Sequence, residues 1–210
     1  MNWYHVRPHM DGIISCFCRD DTSGRIATGS YNGKFAVYET EMIGRPIWAG
    51  QVDHGQGITQ IEFSKCGSRL FLGTRRSKSI YCYDARRPGK EPLYTVPREC
   101  RNNQRIRFSW YRTGDKEMLM SGESTGKGLL LYELGGGEPR RVELLSDENS
   151  NVVNGISFSE SSGSFVFASG TRSRPSLTLP LTDEDSETET QPTLGGTLSH
   201  GKITTGGYDS

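Results

Sequence analysis

Short apolar segments, each followed by a glycine turn and a second apolar segment, recur four times along the chain. The first segments end at Cys18, Phe63, Phe108 and Phe158, which are 45, 45 and 50 residues apart. The turns contain Gly24, Gly67, Gly114 and Gly163, and the second segments end at Gly29, Gly73, Gly122 and Gly170. Short, partly alternating segments bounded by Gly, Ser and Asp are typical of β-strands. The pattern therefore predicts four copies of one strand-rich unit.

A third apolar segment completes the first three units and ends in Tyr followed by an acidic residue. These pairs are Tyr38-Glu39, Tyr83-Asp84 and Tyr132-Glu133, and the fourth unit has no equivalent. A period near 45 residues with three or four strands per unit is the signature of a propeller blade. We therefore predict an all-β fold, a partial WD40-type β-propeller of about four blade units with the last one incomplete. An ordinary β-sandwich with similar turns is the alternative fold.

Aromatic residues at repeated positions are the expected contacts between blades. The tyrosines of the third segments stand where a WD repeat has Trp, and a ring there is buried on both sides. The phenylalanines that end the first segments alternate with polar neighbours, as a half-buried strand requires. The predicted blade-packing residues are Tyr38, Tyr83, Tyr132, Phe63, Phe108 and Phe158.

The blade units are predicted to span residues 12–181, with a different segment on either side. Residues 1–11 are expected to supply the outer strand of a missing preceding blade. Residues 182–210 form an acidic stretch rich in Ser, Thr and Gly, for which we predict a disordered tail. Because four blades do not close a ring of the usual six to eight, we expect the chain to be a fragment of a larger propeller, an incomplete gene product or half of an assembly.

Composition excludes several classes of protein. The formal net charge is zero, 33% of the residues are hydrophobic, and no apolar run approaches the roughly 18–20 residues that span a bilayer. Five cysteines without a CxxC pair argue against both a disulfide framework and a zinc ribbon. No Ser/His/Asp or paired-carboxylate set is evident. The sequence therefore predicts a protein of a reducing compartment that is not an enzyme and has no cofactor, metal or membrane partner.

Basic residues are concentrated in the middle of the chain. Between Lys65 and Arg112 there are thirteen Lys or Arg residues and three acidic ones. In a propeller, the loops between second and third strands reach the same face as the links between blades. Clustered cations on one face favour RNA binding, because they release counterions from phosphates and can stack on bases. The alternative is that these side chains are solvated and Asn103 caps a turn. The candidate RNA-binding residues are Arg75, Arg76, Lys78, Arg98, Arg101, Asn103, Gln104, Arg105, Lys127 and Arg172.

Four strings give the chain a family resemblance. They are Gly57-Ile58-Thr59, Cys82-Tyr83-Asp84-Ala85-Arg86, Asn103-Gln104-Arg105-Ile106 and Asn154-Gly155-Ile156-Ser157. They resemble the C-terminal blades of a WD40-repeat family that binds small Cajal body RNAs, over about Gly12 to Gly170. An acidic insertion in the last blade of that family resembles residues 183–189.

This resemblance implies a non-enzymatic nuclear scaffold of the Cajal body. Members of the family bind the CAB box of small Cajal body RNAs and of telomerase RNA. They accompany H/ACA ribonucleoprotein proteins such as dyskerin and direct these particles to Cajal bodies. We therefore expect an RNA-binding role for the chain.

A protein-interaction module is the alternative function. The tract Tyr83-Asp84-Ala85-Arg86 resembles the box with which substrate receptors dock on a cullin–RING ligase adaptor. It falls on the opposite face of the predicted propeller from the basic loops. A simple turn closed by pairing of Asp84 with Arg86 is the interpretation that we favour.

Overall fold

Four antiparallel sheets follow one another along the chain in a computed structural model of the protein. The structure describes residues 10–40, 44–52, 56–125, 128–135, 139–145, 152–159, 162–170 and 196–202. Within each sheet the strands are neighbours in the order in which they occur in the sequence. This up-and-down arrangement is that of successive propeller blades. The predicted all-β fold of about four blade units is confirmed.

The strands of each blade have the following bounds. Blade 1 contains β1 (Ile14–Arg19), β2 (Ile26–Ser30), β3 (Lys34–Tyr38) and β4 (Trp48–Gln51). Blade 2 contains β5 (Ile58–Phe63), β6 (Arg69–Thr74), β7 (Ser79–Asp84) and β8 (Tyr94–Pro97). Blade 3 contains β9 (Phe108–Thr113), β10 (Lys116–Gly122), β11 (Leu129–Leu134) and β12 (Arg140–Leu145). Blade 4 contains β13 (Val152–Ser159), β14 (Ser164–Gly170) and β15 (Gly196–Lys202).

The third strand of blade 4 corrects the sequence analysis, which found none. β15 pairs with β14 in an unbroken antiparallel register from Ser164 opposite Lys202 to Gly170 opposite Gly196. It comes from the stretch predicted to be a tail. Backbone hydrogen bonds form a ladder without large apolar side chains, so the apolar pattern gave no signal for this strand. The acidic residues 183–189 lie outside the described residues. Residues 1–9 of the outer strand predicted for residues 1–11 also lie outside them.

The repeated turn glycines have a common backbone conformation. Gly67, between β5 and β6, has a φ of 65°, which side chains other than Gly rarely adopt. Gly24, Gly114 and Gly163 occupy the same turn in the other blades and also have positive φ. The turn repeat in the sequence is therefore a repeat of backbone geometry.

Three apolar cores lie between consecutive blades. The first joins blades 1 and 2 and includes Phe35, Trp48, Ile58, Leu70 and Tyr83. The second joins blades 2 and 3, and the third joins blades 3 and 4. In each case the two facing sheets contribute alternate residues of their strands. The core is thus a series of interfaces between neighbours.

Most of the predicted blade-packing residues lie in these interfaces. Phe63 and Tyr83 belong to the first, Phe108 and Tyr132 to the second, and Phe158 is partly buried against the third. The ring of Tyr83 lies 5.3 Å from that of Phe35 and 5.7 Å from that of Trp48. The Tyr132 hydroxyl donates a hydrogen bond of 2.6 Å to the Pro97 carbonyl.

Tyr38 is placed differently from the other tyrosines. It packs with Met10 and Ala36 on the side of blade 1 that faces away from blade 2. The same side exposes 77% of Phe17. No described blade covers this side, so Tyr38 does not lie between two described blades.

The glycines that end the second strands allow the next blade to approach. A Cβ on Gly29 would lie 2.8 Å from the Ile58 side chain, and one on Gly73 would lie 3.0 Å from Phe108. At Gly122 a Cβ would overlap the carbonyl oxygen of Val153. These glycines therefore recur because the innermost strand of each following blade, β5, β9 or β13, lies directly against them.

Arginine side chains join blades 1 to 3 at the ends opposite these glycines. Arg25 pairs with buried Asp20 at 2.9 Å and donates hydrogen bonds to the carbonyls of Gly67 and Ala85 in blade 2. Arg69 of blade 2 pairs with Glu117 of blade 3. These contacts fix the spacing of neighbouring blades.

A half-buried carboxyl group lies between blades 2 and 3. Burial of Glu62 raises its pKa from an ordinary value of 4.5 to about 7, against the lowering effect of hydrogen bonds from Gln60 and the Trp110 backbone. The Gln60 side chain also donates to the Phe108 carbonyl at 2.7 Å and accepts from the Phe108 amide at 3.0 Å. The cation facing this carboxyl is Arg107. Glu62 is thus part of a polar contact that crosses the interface.

Stability should depend on pH through Glu62. Because its pKa is higher in the folded protein than in the unfolded one, the folded state binds the proton more tightly. The free energy of unfolding should therefore fall as the pH rises from about 4.5 to about 7. Urea unfolding across this range, repeated with Glu62→Gln, tests the assignment. The variant should lose this part of the pH dependence, and an unchanged profile would contradict it.

Candidate functional site

One face of the structure carries both the loops between second and third strands and the links between blades. We call it the upper face. In its described part it comprises the loops 31–33, 75–78 and 123–125 and the link 98–107, with Gly57 at the start of blade 2. The turns between first and second strands and the links between third and fourth strands lie on the opposite, lower face. Most of the candidate RNA-binding residues belong to the upper face.

Backbone hydrogen bonds attach the link 98–107 to the loops on both sides. The amides of Arg98 and Cys100 donate to the carbonyls of Lys78 and Ser77, both at 2.8 Å. On the other side, the amide of Ser124 donates to the Glu99 carbonyl at 2.8 Å. The basic segments of blades 2 and 3 are therefore held side by side.

Arg75 stacks on an aromatic ring of blade 1. Its guanidinium carbon lies 4.0 Å from the ring centroid of Tyr31, which is 48% exposed. The Arg75 amide donates to the Gly57 carbonyl at 3.0 Å. This cation–π pair forms a flat surface of the kind on which unpaired bases stack.

Arg76 and Lys78 are exposed in the next part of this loop. Within the described residues neither has an ion-pair partner. Arg76 has a φ of 47°, a left-handed conformation that costs a non-glycine residue roughly 1 kcal/mol. Two cations are therefore free to bind an anion, and one of them lies at a strained backbone position.

Arg101 is exposed but held in place by Glu99. Its Nε and Nη2 atoms lie 3.0 and 2.8 Å from the same Glu99 carboxylate oxygen. The backbone amide of Arg101 donates to the Ser124 hydroxyl at 2.7 Å. Its guanidinium group therefore has a preferred orientation at the surface.

The side chains of residues 103–105 differ in their exposure to solvent. Asn103 and Arg105 are exposed, whereas Gln104 is half-buried. The Gln104 side-chain oxygen accepts a hydrogen bond from Asn102 at 3.0 Å. Asn103 and Arg105 are therefore the more accessible members of this group.

Arg98 does not lie at the surface, which corrects its inclusion among the candidates. It is only 2% exposed, and its guanidinium donates to the carbonyls of Ile106 at 3.0 Å and Thr74 at 3.4 Å. Burial lowers its pKa to about 10, so it remains charged at neutral pH. Its charge supports the backbone of the link. Candidates Lys127 and Arg172 lie outside the described residues.

Sequence reasoning placed Glu99 in this link but did not include it among the candidate residues. Glu99 joins the link to both Arg101 and the loop of blade 3. A single acidic residue in a basic run was the available signal, because such a residue commonly orients a neighbouring arginine.

The tract Tyr83-Asp84-Ala85-Arg86 on the lower face forms a turn that its own residues close. The Arg86 amide donates to the Asp84 carboxylate at 2.8 Å, and the Arg86 side chain reaches the same oxygen at 3.4 Å. The Arg86 side chain is 71% exposed. The Tyr83–Arg86 tract therefore has the geometry of a paired turn.

Where the structure describes the chain, no three His, Cys, Asp or Glu side chains are grouped to hold a metal ion. The described part also contains no helix of the length and apolar character that crossing a membrane requires.

Solved structures define the class of protein. The β-propeller domain of Cps50 (Swd1) from Myceliophteria thermophila superimposes with a TM-score of 0.58 at 13% sequence identity, over 77% of this chain and 52% of that one. No protein-family model matches the sequence. At this identity the likeness concerns the fold, and the fold is that of a WD40-type β-propeller.

Within that class, the chain is similar to telomerase Cajal body protein 1. It is 32% identical to the Bos taurus protein over 186 residues, which are 87% of this chain and 33% of the relative. It is 33% identical to the Homo sapiens protein over 171 residues, 80% of this chain and 30% of the relative. The resemblance found in the sequence is thus confirmed, and the chain spans about a third of the length of these relatives. The comparisons support a WD40 scaffold.

Proposed function

We propose that the chain is the RNA-binding part of a non-enzymatic nuclear scaffold. It recognises small Cajal body RNAs and telomerase RNA and helps to direct H/ACA ribonucleoproteins, with proteins such as dyskerin, to Cajal bodies. The upper face supports this proposal, because it presents exposed cations that have no ion-pair partner among the described residues, beside a Tyr31–Arg75 stack. The name of the relatives, telomerase Cajal body protein 1, supports the Cajal body as the location.

The chemistry of the upper face suits single-stranded RNA. Phosphates bind to Arg76, Lys78 and Arg105, while the Tyr31–Arg75 surface stacks on a base. Phosphate contacts supply most of the affinity and make it dependent on salt. Stacking on unpaired bases adds a preference for loops and single strands over duplexes.

Neutralising the free cations should weaken RNA binding. The double variant Arg76→Gln, Lys78→Gln removes two phosphate contacts, so we expect about a tenfold loss of affinity at physiological salt and a salt slope smaller by about 1.4. Fluorescence anisotropy with a CAB-box RNA over a salt series measures both quantities.

A matched control separates a local effect from a change in net charge. Arg87 and Lys90 are exposed on the lower face, and Arg87→Gln, Lys90→Gln removes the same charges. This variant should bind almost as well as the unchanged chain. Equal losses in both double variants would contradict a site on the upper face. Equal affinity for RNAs with and without the CAB box would contradict sequence recognition.

A further inference from the structure

A pocket of about 400 Å³ opens on the upper face between blades 2 and 3. It is lined by Arg76, Ser77, Lys78, Glu99, Cys100 and Arg101. One wall is the loop after β6, and the other is the link before β9. Its volume is near the lower end of the range for small-molecule sites, roughly 300–1,000 Å³. The pocket is therefore large enough for a small planar group rather than for a peptide segment.

The rim of the pocket is positively charged. Three of its six residues are cations and one is an anion, so its formal charge is +2. Glu99 is already bound to Arg101, while Arg76 and Lys78 have no ion-pair partner within the described residues. The strained φ of 47° at Arg76 lies in the loop that forms this rim. The rim is suited to an anionic group such as a phosphate.

The floor of the pocket has little capacity for further hydrogen bonds. The Ser77 hydroxyl donates to the Ser79 carbonyl at 2.9 Å and accepts from the Ser79 amide at 3.1 Å. The Cys100 amide bonds to the Ser77 carbonyl, and the Cys100 thiol is directed to the carbonyls of Asn102 and Gln104. A ligand that enters this pocket is therefore held by stacking and van der Waals contact rather than by polar contacts to the floor.

Arg101 supplies the planar partner for such a ligand. Glu99 engages two nitrogens of its guanidinium group, at 3.0 and 2.8 Å, and so restricts rotation of the plane. A guanidinium plane stacks on an unpaired base, and the ion pair with Glu99 favours one orientation of this plane.

We infer that this pocket accepts one unstacked nucleotide of the bound RNA. The base enters between Arg101 and Cys100, and the adjoining phosphate binds Arg76 and Lys78. This inference rests on the proposed RNA-binding function and adds to it the position of a single base. The pocket therefore holds a base by stacking. Because the floor offers few free polar groups, it discriminates weakly among the four bases.

Removing single bases from the RNA tests the pocket. A set of otherwise identical CAB-box RNAs, each with one abasic nucleotide, is titrated with the chain by fluorescence anisotropy. Stacking of a base on a protein side chain corresponds to about a tenfold effect on affinity. We expect one abasic position to weaken binding by about that factor. In Arg101→Gln the loss at this position should shrink to less than threefold, because the base has lost its partner.

Arg105→Gln is the matched control, since Arg105 is an exposed arginine of the same link outside the pocket. It should bind all the RNAs more weakly but retain the full loss at the sensitive position. If the chain bound RNA tightly and lost affinity equally at every abasic position, the inference that the pocket holds a base would be overturned. The RNA-binding proposal would remain intact. A sensitive position that is unaffected by Arg101→Gln would place the base elsewhere and also overturn it. Absence of binding to every RNA would overturn both proposals.

Discussion

Gly122→Ala is expected to lower the free energy of unfolding by about 3 kcal/mol. The added Cβ would overlap the carbonyl oxygen of Val153, which is backbone of blade 4 and cannot move aside as a side chain can. Overpacking at such a contact forces the backbone to shift and typically costs about 1–3 kcal/mol. We expect a cost at the upper end of this range, because the Gly122 amide also donates a hydrogen bond to the Arg107 carbonyl at 3.3 Å. Urea unfolding of the variant measures the loss.

Gly135→Ala is the control for this substitution. A Cβ at Gly135 meets nothing within 4 Å, and its φ is not positive. The same change of residue should therefore be neutral there or slightly stabilising, through the smaller entropy of the unfolded chain. If the two variants were equally stable, β13 would not lie against Gly122 in solution.

Arg98→Ala is expected to destabilise the protein by about 4 kcal/mol. The substitution removes the guanidinium that satisfies the buried carbonyls of Ile106 and Thr74, and hydrogen bonds to a charged group contribute roughly 1.5–3 kcal/mol each. It also leaves a cavity where one of the largest fully buried side chains was packed. Thermal or urea unfolding measures the effect.

Arg101→Ala provides the comparison, because Arg101 lies three residues further along the same link with an exposed side chain. Its single ion pair with Glu99 should contribute less than about 1 kcal/mol to stability. Equal stabilities of the two variants would show that Arg98 is not buried in solution. Unequal stabilities would separate an arginine that supports the link from arginines that are available to a ligand.

The repeating features of the fold could be predicted from the sequence because each copy faces the same local requirement. Gly67 and its equivalents are needed for a left-handed turn, and Gly73 and its equivalents for the approach of the next blade. Tyr83 and Tyr132 fill the space between sheets. Requirements that recur in every blade leave a period in the sequence, and that period identifies the blades.

Other features depend on tertiary contacts that no local sequence pattern indicates. β15 is a strand because β14 offers it an edge with which to pair, and its Gly- and Ser-rich sequence contains no strand signal. Arg98 has the same residue type as Arg101, but the path of the link directs one inward and leaves the other in solvent. The sequence therefore shows that basic residues are concentrated in one segment, whereas the burial or exposure of each arginine depends on how that segment packs between two blades.

The three inter-blade cores have a consequence for how disturbances spread through the molecule. In the described part of the chain, each core is made by two consecutive blades, so blades 2 and 3 are supported on both sides and blades 1 and 4 on one. Such an array behaves as a one-dimensional series of nearest-neighbour couplings. A disturbance at one core should therefore reach the next core through the blade that the two share, so the junction of blades 2 and 3, which carries the pocket, is coupled directly to the cores on both sides of it.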